Sequence, residues 1–412
     1  MCVLQIGDAD CIASRGICFY FENVKKQVVL RKNEEHRILA GHQWVFSNEI
    51  SSIKGEPEPG DIVEVLNHQN RFLAVGFFNP HSLIAVRILS SQHDEISFSF
   101  FEKRISQAQQ LRKKLFPQSD VYRLIHSESD FLPGLVVDKY NEYLSIQTLS
   151  FGMDKRLQLL CDVLESVFHP RAIVECNDST LRSLEHLPQK RDVLRGTLDE
   201  TIIVEHGLKF KVDLLKGQKT GFFLDQRENR KAIRRIVRNA VVLDCFCYEG
   251  GFSLNAVAGK AKNVRGVDQS SSAVSKARVN AHINDAGGVD FEAADVFDYL
   301  RRLVDEQARF DVVIQDPPSF TKSKKNVTTA LRGYKQINEL ALQMINTGGF
   351  LVSASCSHHI TQESFLTAIE HAAQKAGRRI QLLELSGASP DHPVLPSMPE
   401  TSYLKFGIFS VQ

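Results

Sequence analysis

The sequence predicts an α/β protein: a parallel sheet of the nucleotide-binding kind in the C-terminal half, preceded by a small β domain and an α+β unit. Three observations predict it. From about residue 240, short apolar, β-branched runs alternate with helical stretches to the end of the chain. Five polar side chains each follow such a run: Asp244 in VVLDCFCYEGGF, Asp268 in VRGVDQSS, Asp295 in FEAADVF, Asp316 in FDVVIQDPPSF and Cys356 in FLVSASCS. Between residues 28 and 90, short apolar runs are separated by Pro, Gly and Asn, the pattern of strands and turns. In an open α/β sheet the ligand crevice lies at the carboxyl ends of the strands. An acidic crevice with a thiol beside it points to a cationic cofactor and a covalent reaction.

Composition bounds the rest. At 412 residues, two or three domains are expected. Hydrophobic residues at 43% and charged residues at 24% are ordinary for a globular protein. The net charge of +1 gives no global attraction to nucleic acid, so local clusters must carry any such case. No run approaches the roughly 20 apolar residues that span a bilayer, so no membrane partner is expected. The first residues carry Asp8 and Asp10 rather than a basic-then-apolar signal pattern. Eight unevenly spaced cysteines read as reduced thiols of a cytoplasmic protein. Cys245 and Cys247 lack a second pair at zinc-like spacing, so no metal is expected.

Residues 1–26 show no periodicity and read as an unassigned extension. The β domain is placed at 27–100. Its VVLRKNEEHRILAGHQWVFSNEI stretch mixes a strand, a short helical piece and an aromatic anchor, and PGDIVEVLNH, RFLAVGFFNP and LIAVRILS read as short strands. An α+β domain is placed at 101–204. It begins with the helix FSFFEKRISQAQQLRKKLF, which Pro117 ends, and continues through SDVYRLIHSESDFLPGLVVDKYNEYLSIQTLS, read as two strands around a turn. The helix MDKRLQLLCDVLESVF and the strand AIVECND complete it. The hairpin IIVEHGLKFKVDLL spans the boundary and leads into the third domain, 205–412, whose segment QKTGFFLDQRENRKAIRRIV precedes the alternation of strand and helix.

The cofactor argument starts at Asp244. A strand, a tight turn at Gly250 and Gly251, and a helix starting near Phe252 form a nucleotide-binding βα unit. The spacing is not GxGxxG, so the dinucleotide fingerprint is absent. Asp268 closes the next strand 24 positions on, where a ribose-binding carboxylate belongs, and Asp295 closes the third. This is the layout of enzymes that use S-adenosylmethionine. The plainer alternative is a Rossmann-like unit with solvated loop carboxylates.

DPPSF at 316–320 is a rigid loop, because two prolines fix φ and remove two donors. Such loops grip a planar, amide-like nitrogen in a flipped base; Phe320 either stacks on a base or belongs to the core. A buried cysteine is usually a small hydrophobe, but Cys356 comes after its apolar run, between serines. A thiol at a strand tip near a cofactor crevice can act as a nucleophile. Thiolate addition at carbon-6 of a pyrimidine makes carbon-5 enamine-like, able to attack a sulfonium methyl. Asp316 is the natural group to protonate or hydrogen-bond ring nitrogen 3.

The chain resembles the large-subunit ribosomal RNA cytosine-carbon-5 methyltransferases of the RlmI type. The matching stretches are HQWVFS, ESDFLPGLVVDKY, KTGFFLDQRENR, CFCYEGGF, DPPSF, RGYKQIN, SCS and DHPV, from about residue 28 to 412. The resemblance implies a PUA domain, a central α+β domain and a Rossmann-like catalytic domain. It implies Cys356 as nucleophile with Asp316 as acidic partner. It implies S-adenosylmethionine held by Asp244, Phe246, Tyr248, Gly250, Asp268, Asp295 and Asp316. Phe223 and Gln226 belong to the segment 222–227 that closes over the cofactor. It implies large-subunit ribosomal RNA as partner and leaves a homodimer open. One departure from many RNA cytosine methyltransferases stands out: Ser319 occupies the place of a second cysteine after the DPP motif, as in the single-cysteine RlmI type.

Local charge supports RNA binding. Lys322, Lys324, Lys325, Arg332 and Lys335 follow the DPPSF loop, where a substrate strand would pass. Arg230, Arg234 and Arg238 recur at i, i+4 and i+8 and read either as an RNA-facing stripe or as solvated charge. Two competing functions remain: an exocyclic-amine methyltransferase, which needs no cysteine, and a non-catalytic RNA-binding protein.

Overall fold

The computed structural model describes residues 25–217, 220–321 and 323–412. The extension up to residue 24 and Lys322 lie outside the described residues.

The N-terminal sheet contains β1 (Gln27–Leu30), β2 (Trp44–Phe46), β3 (Ile50–Lys54), β4 (Ile62–Leu66), β5 (Phe72–Phe78) and β6 (Ile84–Ser90), with the single-turn α1 (His36–Leu39) after β1. Its order is β2-β6-β5-β4-β1-β3, with β1 and β4 parallel and the other pairs antiparallel. Inward-facing Val28, Leu30, Val45, Val63, Val65 and Val86 build its core.

Next comes α2 (Phe98–Leu115), which stops before Pro117 because a residue preceding proline is pushed out of the helical region; Phe116 has φ −132°. A five-stranded sheet follows, order β11-β10-β9-β8-β7, from β7 (Val121–His126), β8 (Leu135–Tyr140), β9 (Tyr143–Thr148), β10 (Ala172–Asn177) and β11 (Lys190–Gly196). Helices α3 (Phe151–Asp154) and α4 (Leu157–Phe168) connect β9 to β10. Residues 119–150 thus hold three strands where two were expected. The second reversal is a tight hairpin at Asn141-Glu142, with Asn141 at φ +55°, and it lacks the glycine that usually marks such a turn. The edge strand β11, KRDVLRG, was not expected at all; charge suits an unpaired edge and hides the strand pattern. The hairpin β12 (Thr201–Glu205) and β13 (Leu208–Val212) turns at His206 and Gly207, both at positive φ.

The last sheet has seven strands in the order β16-β15-β14-β17-β18-β20-β19. They are β14 (Val241–Cys245), β15 (Asn263–Asp268), β16 (Val289–Ala293), β17 (Phe310–Gln315), β18 (Ile345–Ser355), β19 (Ile380–Ser386) and β20 (Lys405–Val411). The first five are parallel; β20 runs antiparallel between β18 and β19. Six helices accompany it: α5 (Arg227–Ala232), α6 (Gly251–Ala258), α7 (Ser271–Ile283), α8 (Val296–Asp305), α9 (Val327–Met344) and α10 (Gln362–Lys375). One face packs Tyr299, Leu300, Tyr334, Ile337, Phe365 and Ile369 from α8, α9 and α10. The other packs Ile233, Val237, Phe252 and Ala256. The order reverses between β14 and β17, which opens the crevice at their carboxyl ends.

A buried polar lock joins the last two sheets. Arg112 of α2, fully buried, donates to both carboxylate oxygens of Asp130 at 2.5 and 2.7 Å and to the Asp391 carbonyl at 2.9 Å. Asp391, in the loop between β19 and β20, accepts from the Arg123 amide at 2.8 Å and lies 3.0 Å from His392 Nδ1. Arg123 in turn holds Asp138 in a bidentate pair. Removing one partner of a buried ion pair leaves the other charge uncompensated, at a cost of about 3–5 kcal/mol. Arg112→Met is therefore expected to lower unfolding free energy by about that amount, read by urea titration. A change below about 1 kcal/mol would show that the lock is not needed for stability.

Candidate active site

Asp244, at the penultimate position of β14, has no solvent exposure. Its Oδ2 accepts a 2.6 Å hydrogen bond from the Ser253 hydroxyl, and its Oδ1 has no partner among the described residues. Burial, with Asp316 and Asp268 adding repulsion, pushes the carboxyl up to about 7. The chain then turns sharply: Phe246, Tyr248 and Gly250 have φ of +61°, +48° and +84°. Two non-glycine residues in the left-handed region are strained, a feature that concentrates at ligand clamps. A side chain at Gly250 would be strained by the positive φ, and its Cβ would press on the Phe291 ring at 3.1 Å. Asp268 ends β15. Its two oxygens accept the Tyr248 and Ser270 amides at 3.0 and 2.8 Å, which fixes the carboxylate against the turn.

Asp295 departs from the expectation of a strand tip. β16 stops at Ala293, and Asp295 is exposed, capping α8 by accepting the Asp298 amide at 3.0 Å. It comes one residue after Ala294, whose amide bonds the Asp268 carbonyl.

A strap crosses the crevice between Phe222 and Arg230. The Phe223 ring meets Tyr248 edge-on at 5.1 Å. Gln226 donates to Asp316 Oδ1 at 3.0 Å and accepts from Asn229 at 2.7 Å. Arg230, buried, holds Glu205 with two 2.7 Å bonds and donates to the Phe223 carbonyl at 2.9 Å. Phe223 and Gln226 thus touch Tyr248 and Asp316.

Asp316 and Cys356 lie one residue beyond the neighbouring parallel strands β17 and β18, and both are half-buried. Around them stand groups that sequence reasoning missed. Tyr334, fully buried on α9, accepts from the Ser355 hydroxyl at 2.9 Å and lies 3.1 Å from Ser357 Oγ. Burial raises its phenol, with Cys356 and Asp316 pushing the same way. Tyr403 donates to Asp225 at 2.7 Å and stacks on His358 at 5.1 Å. Burial holds its phenol well above the ordinary range, and Asp225 adds to this. Lys405 is buried at the start of β20. Ser319 lies 2.9 Å from Ser357 Oγ, so the position of the absent second cysteine is tied to the Cys356 turn. RGYKQIN and the inward-facing Lys405 in YLKFGIFSV were the available signals. Phe320, half-buried, packs 4.7 Å from Tyr334 against the core.

The basic residues divide. Lys324 and Lys325 are exposed in a 3-10 turn after the DPPSF loop, Arg332 is exposed on α9, and Lys335 is half-buried there. The arginine stripe is corrected. Helix α5 ends at Ala232; Arg230 is locked to Glu205, and Arg234 donates to Asn255 at 2.8 Å and to the His206 carbonyl at 3.1 Å. Only Arg238 of the three is exposed. Those arginines have protein partners because the hairpin β12–β13 and α6 fold against them. A groove of about 910 Å³ lies elsewhere, between the N-terminal sheet and α2, and contains none of these residues.

Comparison with known proteins places this geometry. Residues 28–91 match a PUA-like domain model, and residues 156–404 match the model of S-adenosylmethionine-dependent methyltransferases. Ribosomal RNA large subunit methyltransferase I of Erwinia tasmaniensis is 39% identical over 92% of this chain and 98% of its own. The protein of that name from Tolumonas auensis is 40% identical over 92% and 97%. The chain belongs to this methyltransferase family. A Streptococcus mutans structure described as an S-adenosylmethionine-dependent methyltransferase has the same fold, with TM-score 0.80 at 20% identity over 93% of this chain and 100% of that one. Another solved methyltransferase, complexed with S-adenosylhomocysteine, gives 0.82 at 20% identity over 93% and 99%. The PUA-like and Rossmann-like domains expected from sequence are present, and S-adenosylmethionine is the cofactor. No helix of the described residues is long and apolar enough to cross a membrane.

The crevice fits that cofactor. A buried carboxylate oxygen without a partner is costly alone, and a ligand bearing positive charge satisfies it. Because Asp244 titrates near 7 without ligand, it is largely neutral at pH 6 and ionised above pH 7.5. A cationic ligand binds the ionised form better, so affinity rises with pH. Calorimetry is expected to show S-adenosylmethionine binding roughly tenfold more tightly at about pH 7.5 than at about pH 6. Asp244→Asn should flatten that dependence; an unchanged slope in the variant would remove Asp244 from the binding set.

Proposed function

We propose that the protein methylates carbon-5 of a cytosine in large-subunit ribosomal RNA through a covalent adduct on Cys356, and that it works in the cytoplasm. The observation that carries this reading is the pairing of the Cys356 and Asp316 tips on adjacent parallel strands beside the switch-point crevice. The names of the relatives support ribosomal RNA as the substrate.

Asp244, Asp268 and Asp295, with Phe246, Tyr248 and Gly250, would hold the cofactor; Phe223 and Gln226 would cover it. Bound there, S-adenosylmethionine supplies an electrophilic methyl group on a sulfonium. The chain's residues do the rest. The Cys356 thiolate adds to carbon-6 of the cytosine, forming a thioether and loading carbon-5 with electron density. Asp316 supplies a proton or hydrogen bond to ring nitrogen 3, drawing charge off the ring as the bond forms. Gln226, donating to Asp316 at 3.0 Å, orients that carboxyl. After methylation, the carbon-5 proton passes to water as the carbon-6–sulfur bond breaks, which releases the thiolate, returns any proton on nitrogen 3 to Asp316 and restores the aromatic ring. Lys322, Lys324, Lys325, Arg332 and Lys335 would neutralise substrate phosphates beside the loop.

Two measurements test this. RNA carrying 5-fluorocytosine at the target should trap wild-type enzyme plus cofactor as a complex stable on a denaturing gel, because fluorine cannot leave as a proton does. Cys356→Ala should form none and lose turnover, and Asp316→Asn should slow formation by roughly 10²–10⁴-fold. Continued methylation by Cys356→Ala would sink the adduct mechanism and favour the exocyclic-amine chemistry.

Replacing Lys322, Lys324 and Lys325 together with Ala should reduce the slope of log affinity against log salt by about 2 for single-stranded RNA. Cofactor affinity should not change. A slope equal to wild type would make these lysines ordinary solvated charge.

A further inference from the structure

Lys405 begins β20, the strand buried between β18 and β19. It is 6% exposed, and strand register sets it opposite Ser355, the residue before Cys356. Its Nζ donates to the carbonyls of Ser357 and Tyr403, both at 2.7 Å. These two bonds bracket the Cys356 turn. Neither brings a negative charge, and no described carboxylate forms an ion pair with this lysine. An ammonium buried without an anion is strongly unfavourable, so its place demands a counter-charge.

Cys356 is the neighbour whose charge bears on this lysine. Burial brings the Lys405 ammonium down to about 8, and the Cys356 thiolate is the group that opposes this. The described groups around the thiol come from several elements. Tyr334 from α9 and Tyr403 from the segment before β20 are kept neutral by burial. Asp316, at the tip of β17, also acts on Tyr334 and is acidic. Asp225 takes the Tyr403 hydroxyl, His358 stacks on its ring, and His126 and Arg123 approach Tyr403 from the central sheet. Interaction between two titrating groups is reciprocal: an anion that favours the ammonium is itself favoured by it.

We propose that Lys405 is the positioning residue that holds Cys356 as a thiolate, its buried ammonium serving as the charge partner of the sulfur before cytosine arrives. This rests on reading Cys356 as the nucleophile. The Sγ–H bond breaks and its proton passes to water. The ammonium keeps its three protons, and the electron pair left on sulfur forms the bond to carbon-6. The two carbonyl bonds hold Nζ in place while the sulfur gives up its charge to the adduct.

The experiment needs neither RNA nor methyl transfer. Full-length wild type, Lys405→Met and Lys405→Arg are treated with iodoacetamide across about pH 6 to 10, and alkylation of the Cys356 peptide is followed by mass spectrometry. The rate for Lys405→Met at pH 7 is expected to fall about tenfold or more, its profile moving up by at least one unit. Lys405→Arg should stay within about threefold of wild type, since it keeps the charge. Unchanged S-adenosylmethionine affinity certifies the fold of each variant. An unshifted profile in folded Lys405→Met overturns the proposal. If that variant does not fold, NMR of lysine ε-carbons gives the reciprocal measurement: Cys356→Ser should lower the Lys405 titration midpoint, and an unmoved midpoint overturns the proposal. Failure of the nucleophile reading would show separately, as RNA methylation by Cys356→Ala.

Discussion

The Asp391 loop is the joint on which the site depends. Arg112 and Arg123, both from the central domain, grip Asp391 through its carbonyl and its carboxylate. That loop leads directly into Tyr403 and Lys405, the residues that crowd the Cys356 turn. The central domain therefore fixes where β20 begins, and β20 fixes what surrounds the thiol. Burying so many charges would be costly alone; each is matched by a bidentate or backbone partner. Motifs far apart in the chain, ESDF and DHPV, meet on one guanidinium.

A second constraint is the reversal of strand order between β14 and β17. It sets two acidic tips, Asp244 and Asp316, close enough that Asp316 adds to burial in disfavouring ionisation of Asp244. The strap answers on the other side. Ser386 donates to Asn229, Asn229 to Gln226, and Gln226 to Asp316. This chain of amides ties the end of β19 to the acidic loop after β17. An enzyme that must hold a base against a cofactor benefits from such preorganised donors, which need no rearrangement during reaction.

The site also shows how one residue type serves different ends. Arg230 and Arg234 looked like a phosphate-binding stripe, yet each found a buried protein partner. Lys324, Lys325 and Arg332, in a less regular pattern, stayed at the surface. Spacing alone does not separate these outcomes. What separates them is whether another element packs on that face.

The sequence by itself determined the strand tips. Asp244, Asp268, Asp316 and Cys356 were legible because a buried parallel strand is a short apolar run, and each of them lies within one residue of where such a run ends. The turn at Gly250 and the rigid DPPSF loop were legible for the same local reason. Asp295 was read one step too simply, because a helix cap and a strand tip share the same residue type. Edge strand β11 and the Asn141-Glu142 hairpin were illegible, since charge and the absence of glycine masked both. Only the tertiary structure decided what faces the thiol. Tyr334, Tyr403 and Lys405 come from a helix and from a strand that returns antiparallel late in the chain, and no local pattern records that they converge. The pairing of β18 with β20 and the packing of α9 on the sheet bring them together, and both belong to the folded chain.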